Sequence, residues 1–277
     1  MPAQPPSALQ HHLQVGPGDV GRYVFLPGDP GRCERIASRF DNPRHVATNR
    51  EYVTWTGELD GVPVSVTSTG IGCPSTAIAV EELVRVGADT FVRVGTGGGM
   101  QRDTSPGDLA VVTAAIRDEG TTSHYLPIEF PAVADLDVTS ALAEGARASG
   151  ATMRLGVAQT KDSFFGQHEP ERMPVAPRLL TRWQAWVDGG AVCSEMEAAG
   201  LFVVAGVLRA RAGAIVLIAG HHDRRPLTDD EREACDLDHV IDAAIAGMRK
   251  LISADLARDH AEDARGPASP ADGGPQP

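Results

Sequence analysis

Cysteine is scarce and scattered in this sequence: Cys33, Cys73, Cys193 and Cys235 include no pair at metal-ligand spacing. That argues against a zinc site and a disulfide framework, and leaves ordinary reduced thiols. No window reaches the apolar length of a membrane span, and the N-terminus lacks a charged and then apolar leader, so a soluble, cytoplasmic protein is expected. Basic charge is also in short supply. A net charge of -12 disfavours nucleic acid or an anionic membrane as partner, because phosphate backbones and lipid headgroups call for a basic face. Any anion bound by such a chain must meet a local cluster of arginines. Aromatic residues make up only 5%, yet 42% of the 277 residues are hydrophobic, enough to bury one large core.

Both ends are poor in apolar side chains. "MPAQPPSALQ" and "ARGPASPADGGPQP" are rich in Pro, Ala, Gly and Ser, and cannot offset the entropy lost on ordering. Disordered tails are therefore expected over 1–10 and 255–277, flanking a single domain over 11–254. Within the domain the pattern alternates. "RYVFLPGDP" reads as a strand stopped at a turn, followed by helical spacing in "GRCERIASRF". "EYVTWTGELDGVPVSVTSTG" is a hairpin turning at Asp60-Gly61, and the helix "STAIAVEELVRVG" ends at Gly87. "TFVRVG", "DLAVVTAAI", "MRLGVAQT" and "GAIVLIAG" read as strands; "ALAEGARASG", "SEMEAAGLFVVAGVLRA" and "DHVIDAAIAGMRKLI" read as helices. The expectation is an α/β fold, a single-domain three-layer sandwich whose central mixed β-sheet is covered on both faces. Ligands in such sheets sit beyond the carboxyl ends of strands.

Unusual residues gather at those ends. In "LPGDPGR", Gly28 permits close backbone approach and Arg32 lies one turn on, a pair that could hold an anion or form only a tight turn. In "VRVGTGGGMQ", Arg93 sits between Val92 and Val94, where an unpartnered charge is very costly. Arg93 must therefore meet either an internal carboxylate or a bound anion near Thr96. The glycines do not make a dinucleotide fingerprint, since the third glycine is misplaced and "QRDTSPGD" follows where a helix should start. A further strand leads into "KDSFFGQHEPERMP", whose aromatic pair either anchors the loop or, as Phe164 with Gln167, suits a flat heterocycle. One carboxamide can accept from the N–H of uracil while donating to its carbonyl.

The segments "PGDPGR", "STGIGCPSTAIAVEEL", "RVGTGG" and "SEMEAA", in that order and over nearly the whole chain, resemble the uridine phosphorylases of the nucleoside phosphorylase superfamily. The resemblance implies phosphorolysis of uridine, and possibly deoxyuridine, to uracil and ribose 1-phosphate in pyrimidine salvage. It further implies a homohexamer built as a trimer of dimers, whose sites borrow residues across subunits. Carried over by position, Gly28, Arg32, Arg93 and Thr96 would bind phosphate together with Arg50 from a neighbour. Glu195, Met196 and Glu197 would meet the ribose with the neighbour's His12, and Phe164, Gln167 and Arg172 would meet the base. Arg93, Thr96 and Glu197 would carry the catalysis. No metal or organic cofactor is required, phosphate being a co-substrate, although Glu51, Ile71 and Ser75 fall where the family sometimes carries a monovalent cation at a dimer interface.

The sequence departs from the family in two places. Glu169 stands where part of the family has an arginine, which makes Arg172 the candidate substitute. Position 221 is histidine where purine enzymes place an aspartate general acid, which disfavours a purine reading and leaves His221, His222 and Asp223 without an assigned role. A purine or broad-specificity phosphorylase, a nucleosidase using water, and a catalytically silent nucleoside sensor remain the alternatives.

Overall fold

The computed structural model describes residues 9–263. Its strands are β1 (Tyr23–Leu26), β2 (Asp41–Asn49), β3 (Tyr52–Leu59), β4 (Val62–Thr67), β5 (Thr90–Gly99), β6 (Leu109–Asp118), β7 (Ala132–Val133), β8 (Met153–Lys161), β9 (Cys193–Glu195) and β10 (Arg211–Ile218). The helices are α1 (Gly31–Ala37), α2 (Cys73–Arg85), α3 (Leu136–Ala148), α4 (Phe164–His168), α5 (Ala176–Asp188), α6 (Ala198–Val207), α7 (Asp229–Ala234) and α8 (Leu237–Asp263).

All the strands join one mixed sheet, in the order β10-β6-β8-β9-β5-β1-β4-β3-β2, with β7 on β6. The order closes on itself because β5 pairs with β10 as well as with β9 and β1. β1 matches only the first half of β5, from Thr90 to Arg93, and β9 takes over at Gly98 and Gly99. The gap between them leaves one edge of β5 without a strand over Val94–Gly97, while β10 stays paired along the other, and such strand ends are where ligands sit in open α/β sheets.

Two apolar cores flank the sheet. On one side Val80 and Leu83 of α2 pack with Leu201 and Val204 of α6; on the other Ile36 of α1, Leu142 of α3 and Met248 of α8 pack against Val92 and Ile215. The expected sandwich of helices on both faces is thus present. The hairpin turns at Asp60 and Gly61 with φ of 53° and 77°, the left-handed pair that a two-residue turn requires.

Helix α8 runs past the expected domain boundary at 254. Asp255 is 6% exposed and accepts from Tyr23 Oη at 2.8 Å and Arg211 Nη1 at 3.0 Å, so this stretch is tied to the starts of β1 and β10. The expected C-terminal tail is therefore wrong over 255–263. At the other end Gln10 is already buried, its N–H donating to Val15 O at 2.8 Å. The rest of both expected tails, 1–8 and 264–277, lies outside the described residues.

Candidate active site

Strand β9 assembles the site. It inserts between β5 and β8, with Gly98 opposite Ser194 and Thr160 opposite Glu195. The chain then bends through Met196 and Glu197 into α6, so these residues are not the start of a continuous helix as the sequence pattern predicts. A cleft of about 1120 Å³ opens at this junction. Gly28, Arg32, Arg93, Thr96, Phe164, Glu195, Met196 and Glu197 all line it.

At one end lie the arginines. Arg93 is 4% exposed; its Nε donates to Glu195 Oε2 at 2.9 Å and its Nη2 pairs with Glu197 Oε2 at 2.6 Å. Burial works against its charge, but the carboxylates of Glu197 and Glu195 outweigh burial and hold the guanidinium above its ordinary pKa. Arg32 differs. Its Nη2 reaches Thr96 Oγ1 at 3.4 Å, its buried Nε has no partner, and no carboxylate pairs with it among the described residues. Burial and then the neighbouring Arg93 cation push its pKa down. A cation held within the field of another, with a buried donor left bare, has the charge and the spare hydrogen to take an anion.

The carboxylates divide their work. Glu195 is fully committed: it accepts from Arg93, from Thr160 Oγ1 at 2.5 Å, and from the backbone N–H groups of Glu197 and Ala198 at 2.7 and 2.8 Å. It therefore positions Arg93 and caps the start of α6. Glu197 accepts from the Gly72 N–H at 2.5 Å and lies at the cleft wall; burial raises its pKa against the lowering influence of Arg93. Gly72 itself has φ of 93°, a conformation that frees its N–H to point at that carboxylate. The glycine run of β5 has a spatial reason too. A Cβ on Gly97 would lie 2.7 Å from Ser194 O, whereas one on Gly98 would meet nothing within 4 Å.

Phe164 opens α4, whose N-cap Ser163 accepts from Gly166 N at 3.0 Å, and its ring stacks on His168 with centroids 4.0 Å apart. Gln167 is not brought to the cleft. It lines a second pocket of about 170 Å³, together with Trp183, Trp186 and Arg224. Arg172 lines neither pocket: it pairs with Glu169 at the surface, its guanidinium 5.4 Å from the Phe165 ring. That position does not match a base-contacting arginine. The simple i,i+3 ion pair is what the sequence "EPER" builds.

His12 and Arg50 lie outside the chain's own cleft. Both are held on one patch, where Glu82 takes His12 Nδ1 at 2.7 Å and the Leu13 N–H at 2.8 Å, and Asn49 Nδ2 donates to His12 O at 2.7 Å. Arg50 follows with φ of 54° and is exposed. Glu51, Ile71 and Ser75 do come together at the cleft rim, with Ser75 Oγ donating to Ile71 O at 3.3 Å. His221 lies 3.0 Å from Glu231, and His222 lines neither pocket. Among the described residues no helix is long and apolar enough to cross a membrane.

Sequence reading missed several wall residues. Lys161, Ser194, Ala219 and Gly220 also line the cleft, and Glu82 fixes His12. Only Lys161 left a signal: a lysine set directly between the strand "MRLGVAQT" and the segment that carries Phe164.

Several known proteins resemble this chain over most of its length. The uridine phosphorylase of Treponema pallidum (strain Nichols) is 48% identical over 249 residues, 90% of this chain and 96% of that protein. The uridine phosphorylase of Escherichia coli (strain K12) is 39% identical, covering 87% and 97%. The guanosine phosphorylase of Halorubrum lacusprofundi is 41% identical, covering 77% and 84%. A sequence profile described as the Phosphorylase superfamily matches residues 22–253, and the chain belongs to that superfamily.

Proposed function

We propose that this protein is a uridine phosphorylase, a pentosyltransferase that splits uridine with inorganic phosphate into uracil and ribose 1-phosphate in nucleoside salvage. The observation that carries the reading is the bare Arg32 beside Arg93 and Thr96, at the foot of a cleft whose wall holds Glu197.

Phosphate would sit on Gly28, Arg32, Arg93 and Thr96. A dianion there offsets the clash between the two guanidiniums, and Arg93 keeps Nη1 available while its other edge holds the acids. Glu197 would accept from the ribose hydroxyls with Met196 packed alongside, and Phe164 would cover the base. As the glycosidic bond lengthens, the anomeric carbon becomes cation-like, and the fixed anion below it both stabilises that charge and attacks. The arginines contribute positioning, so no nucleophilic side chain and no organic cofactor enters the step.

Arg50 and His12 would serve a neighbouring subunit's site within a ring of dimers, presented there by Asn49 and Glu82. The carboxylate, carbonyl and hydroxyl oxygens of Glu51, Ile71 and Ser75 are a donor set suited to a monovalent cation at such an interface. A cytoplasmic setting fits the reduced thiols, three of which are buried.

A purine reading has one observation in its favour: Gln167 lines the smaller pocket and so does not restrict the cleft to a pyrimidine edge. The test is to follow free base from uridine, thymidine, inosine, guanosine and adenosine with and without phosphate. Phosphate-dependent uracil release is expected. Release without phosphate identifies a nucleosidase, purine release the second reading, and binding without turnover a sensor.

A further inference from the structure

Lys161 closes β8 with its side chain turned inward, 6% exposed in the described chain. Its Nζ donates to Ser194 Oγ at 2.7 Å. Ser194 in turn donates to Gln159 Oε1 at 2.6 Å, and Gln159 Nε2 to Asp118 Oδ2 at 2.8 Å. The relay runs one way. Because the Ser194 hydrogen is committed to Gln159, its lone pair is fixed toward the ammonium. An ammonium carries three donors, and Ser194 takes one. No carboxylate pairs with Lys161 among the described residues, and burial, opposed by the more distant Glu195 and Glu197, lowers its pKa. A buried charge with donors to spare is retained at a cost to folding unless something else uses it.

Its place in the cleft indicates what does. Lys161 lines both the cleft and the smaller pocket; it stands three residues before Phe164, and its partner Ser194 is opposite Gly98 on β5. That is the base end in the reading proposed above, on which this inference rests. The end is otherwise poor in cations: Arg172 is tied to Glu169 outside the cleft, Gln167 faces the other pocket, and His168 engages Phe164 O through Nδ1 at 2.9 Å.

We propose that Lys161 is a further catalytic residue, donating an ammonium N–H to a carbonyl oxygen of the departing pyrimidine. When the C1′–N1 bond breaks, its electron pair goes to N1 and spreads onto the ring carbonyls, while a phosphate oxygen bonds C1′. The proton carried by HPO₄²⁻ equals the one uracil gains, so the step consumes no outside acid. Lys161 strengthens its bond as the ring becomes anionic, which lowers the barrier without tightening the ground state.

The test compares single-turnover rates for uridine and 5-fluorouridine in wild type, Lys161→Met, Lys161→Gln and Lys161→Arg, with melting curves for each. Fluorine makes the base a better leaving group that needs less help. Lys161→Met should slow uridine cleavage by about two to three orders of magnitude, slow 5-fluorouridine at least about tenfold less, and melt no lower than wild type. Lys161→Arg should recover part of the rate. Equal losses on both substrates, no loss, or failure of both neutral variants to fold would each overturn the proposal. Wild type that releases no uracil with phosphate overturns the parent reading instead, and is seen before any variant is made.

Discussion

Replacing Arg93 with alanine strikes stability and turnover together, and the structure sets the size of each. The guanidinium holds two buried carboxylates, Glu195 and Glu197, at 2.9 and 2.6 Å. Breaking a buried pair by removing one partner typically costs about 3–5 kcal/mol. Glu195 keeps three other donors, so the uncompensated charge falls mainly on Glu197 and the lower end applies. At about 2–4 °C per kcal/mol for a domain of this size, Arg93→Ala should melt roughly 6–12 °C below wild type near pH 8. Burial already raises the Glu197 pKa, and losing Arg93 raises it further. A carboxyl whose folded pKa exceeds its unfolded value contributes more stability as pH falls through the folded value, so the deficit should shrink toward pH 5. Phosphate at a hundredfold excess over its Kd should stabilise wild type by about 2.7 kcal/mol and the variant much less. Scanning calorimetry at pH 5 and pH 8, with and without phosphate, reads all of this. A variant melting within a degree or two of wild type at pH 8 would refute the ion-pair reasoning.

Arg32→Met should behave oppositely in stability, because it removes a cation with a bare buried donor: melting unchanged or higher, phosphate no longer raising it, and turnover down about a hundredfold. Arg50→Ala and Glu197→Gln should each be inactive alone, yet recover part of the activity when co-refolded, since Arg50 is exposed outside its own cleft. Mixed oligomers without activity would remove the shared-site arrangement. Arg172→Ala should leave kcat/KM within about threefold of wild type, as expected for a half-exposed surface pair. Gly145→Ala should lower the melting temperature without touching KM: the new methyl would lie 2.3 Å from Ala243 O and 2.6 Å from Gly247 N, where α3 crosses α8, at an overpacking cost of about 1–3 kcal/mol.

The legible parts of the fold were those whose signal is local. Asp60-Gly61 announces its hairpin because only a left-handed pair closes it, and Gly87, with φ of 106°, ends α2 for the same reason. Strand β2 gives no pattern to read because none of its residues is buried and its only apolar side chains against the core, Val46 and Ala47, are adjacent in sequence and do not alternate. Helix α5 hid for a related reason: none of its residues is buried in the described chain, and two prolines at its approach read as loop. Strand β9 reads as helix because "SEMEAAGL" has helical spacing, whereas its three residues are held extended by distant partners, Gly99 and Ala158 opposite Cys193. Lys161 fell one residue beyond the strand as the pattern drew it.

The charges at the site explain why the sequence left two partners open for Arg93. An arginine between valines had either an internal acid or an external anion as partner. A guanidinium has five donors on a planar fork, so the alternatives are not exclusive. Nε and Nη2 of Arg93 face the acids, and Nη1 makes no bond among the described residues. The same carboxylates that make the buried charge tolerable hold Arg93 in the wall of the cleft that Thr96 and Arg32 also line. Arg32 has no such acid among the described residues, which leaves its charge open to the anion proposed above. The asymmetry between two neighbouring arginines, one anchored by acids and one bare, is a property of partners that meet only after folding, which is why no single stretch of sequence displays it.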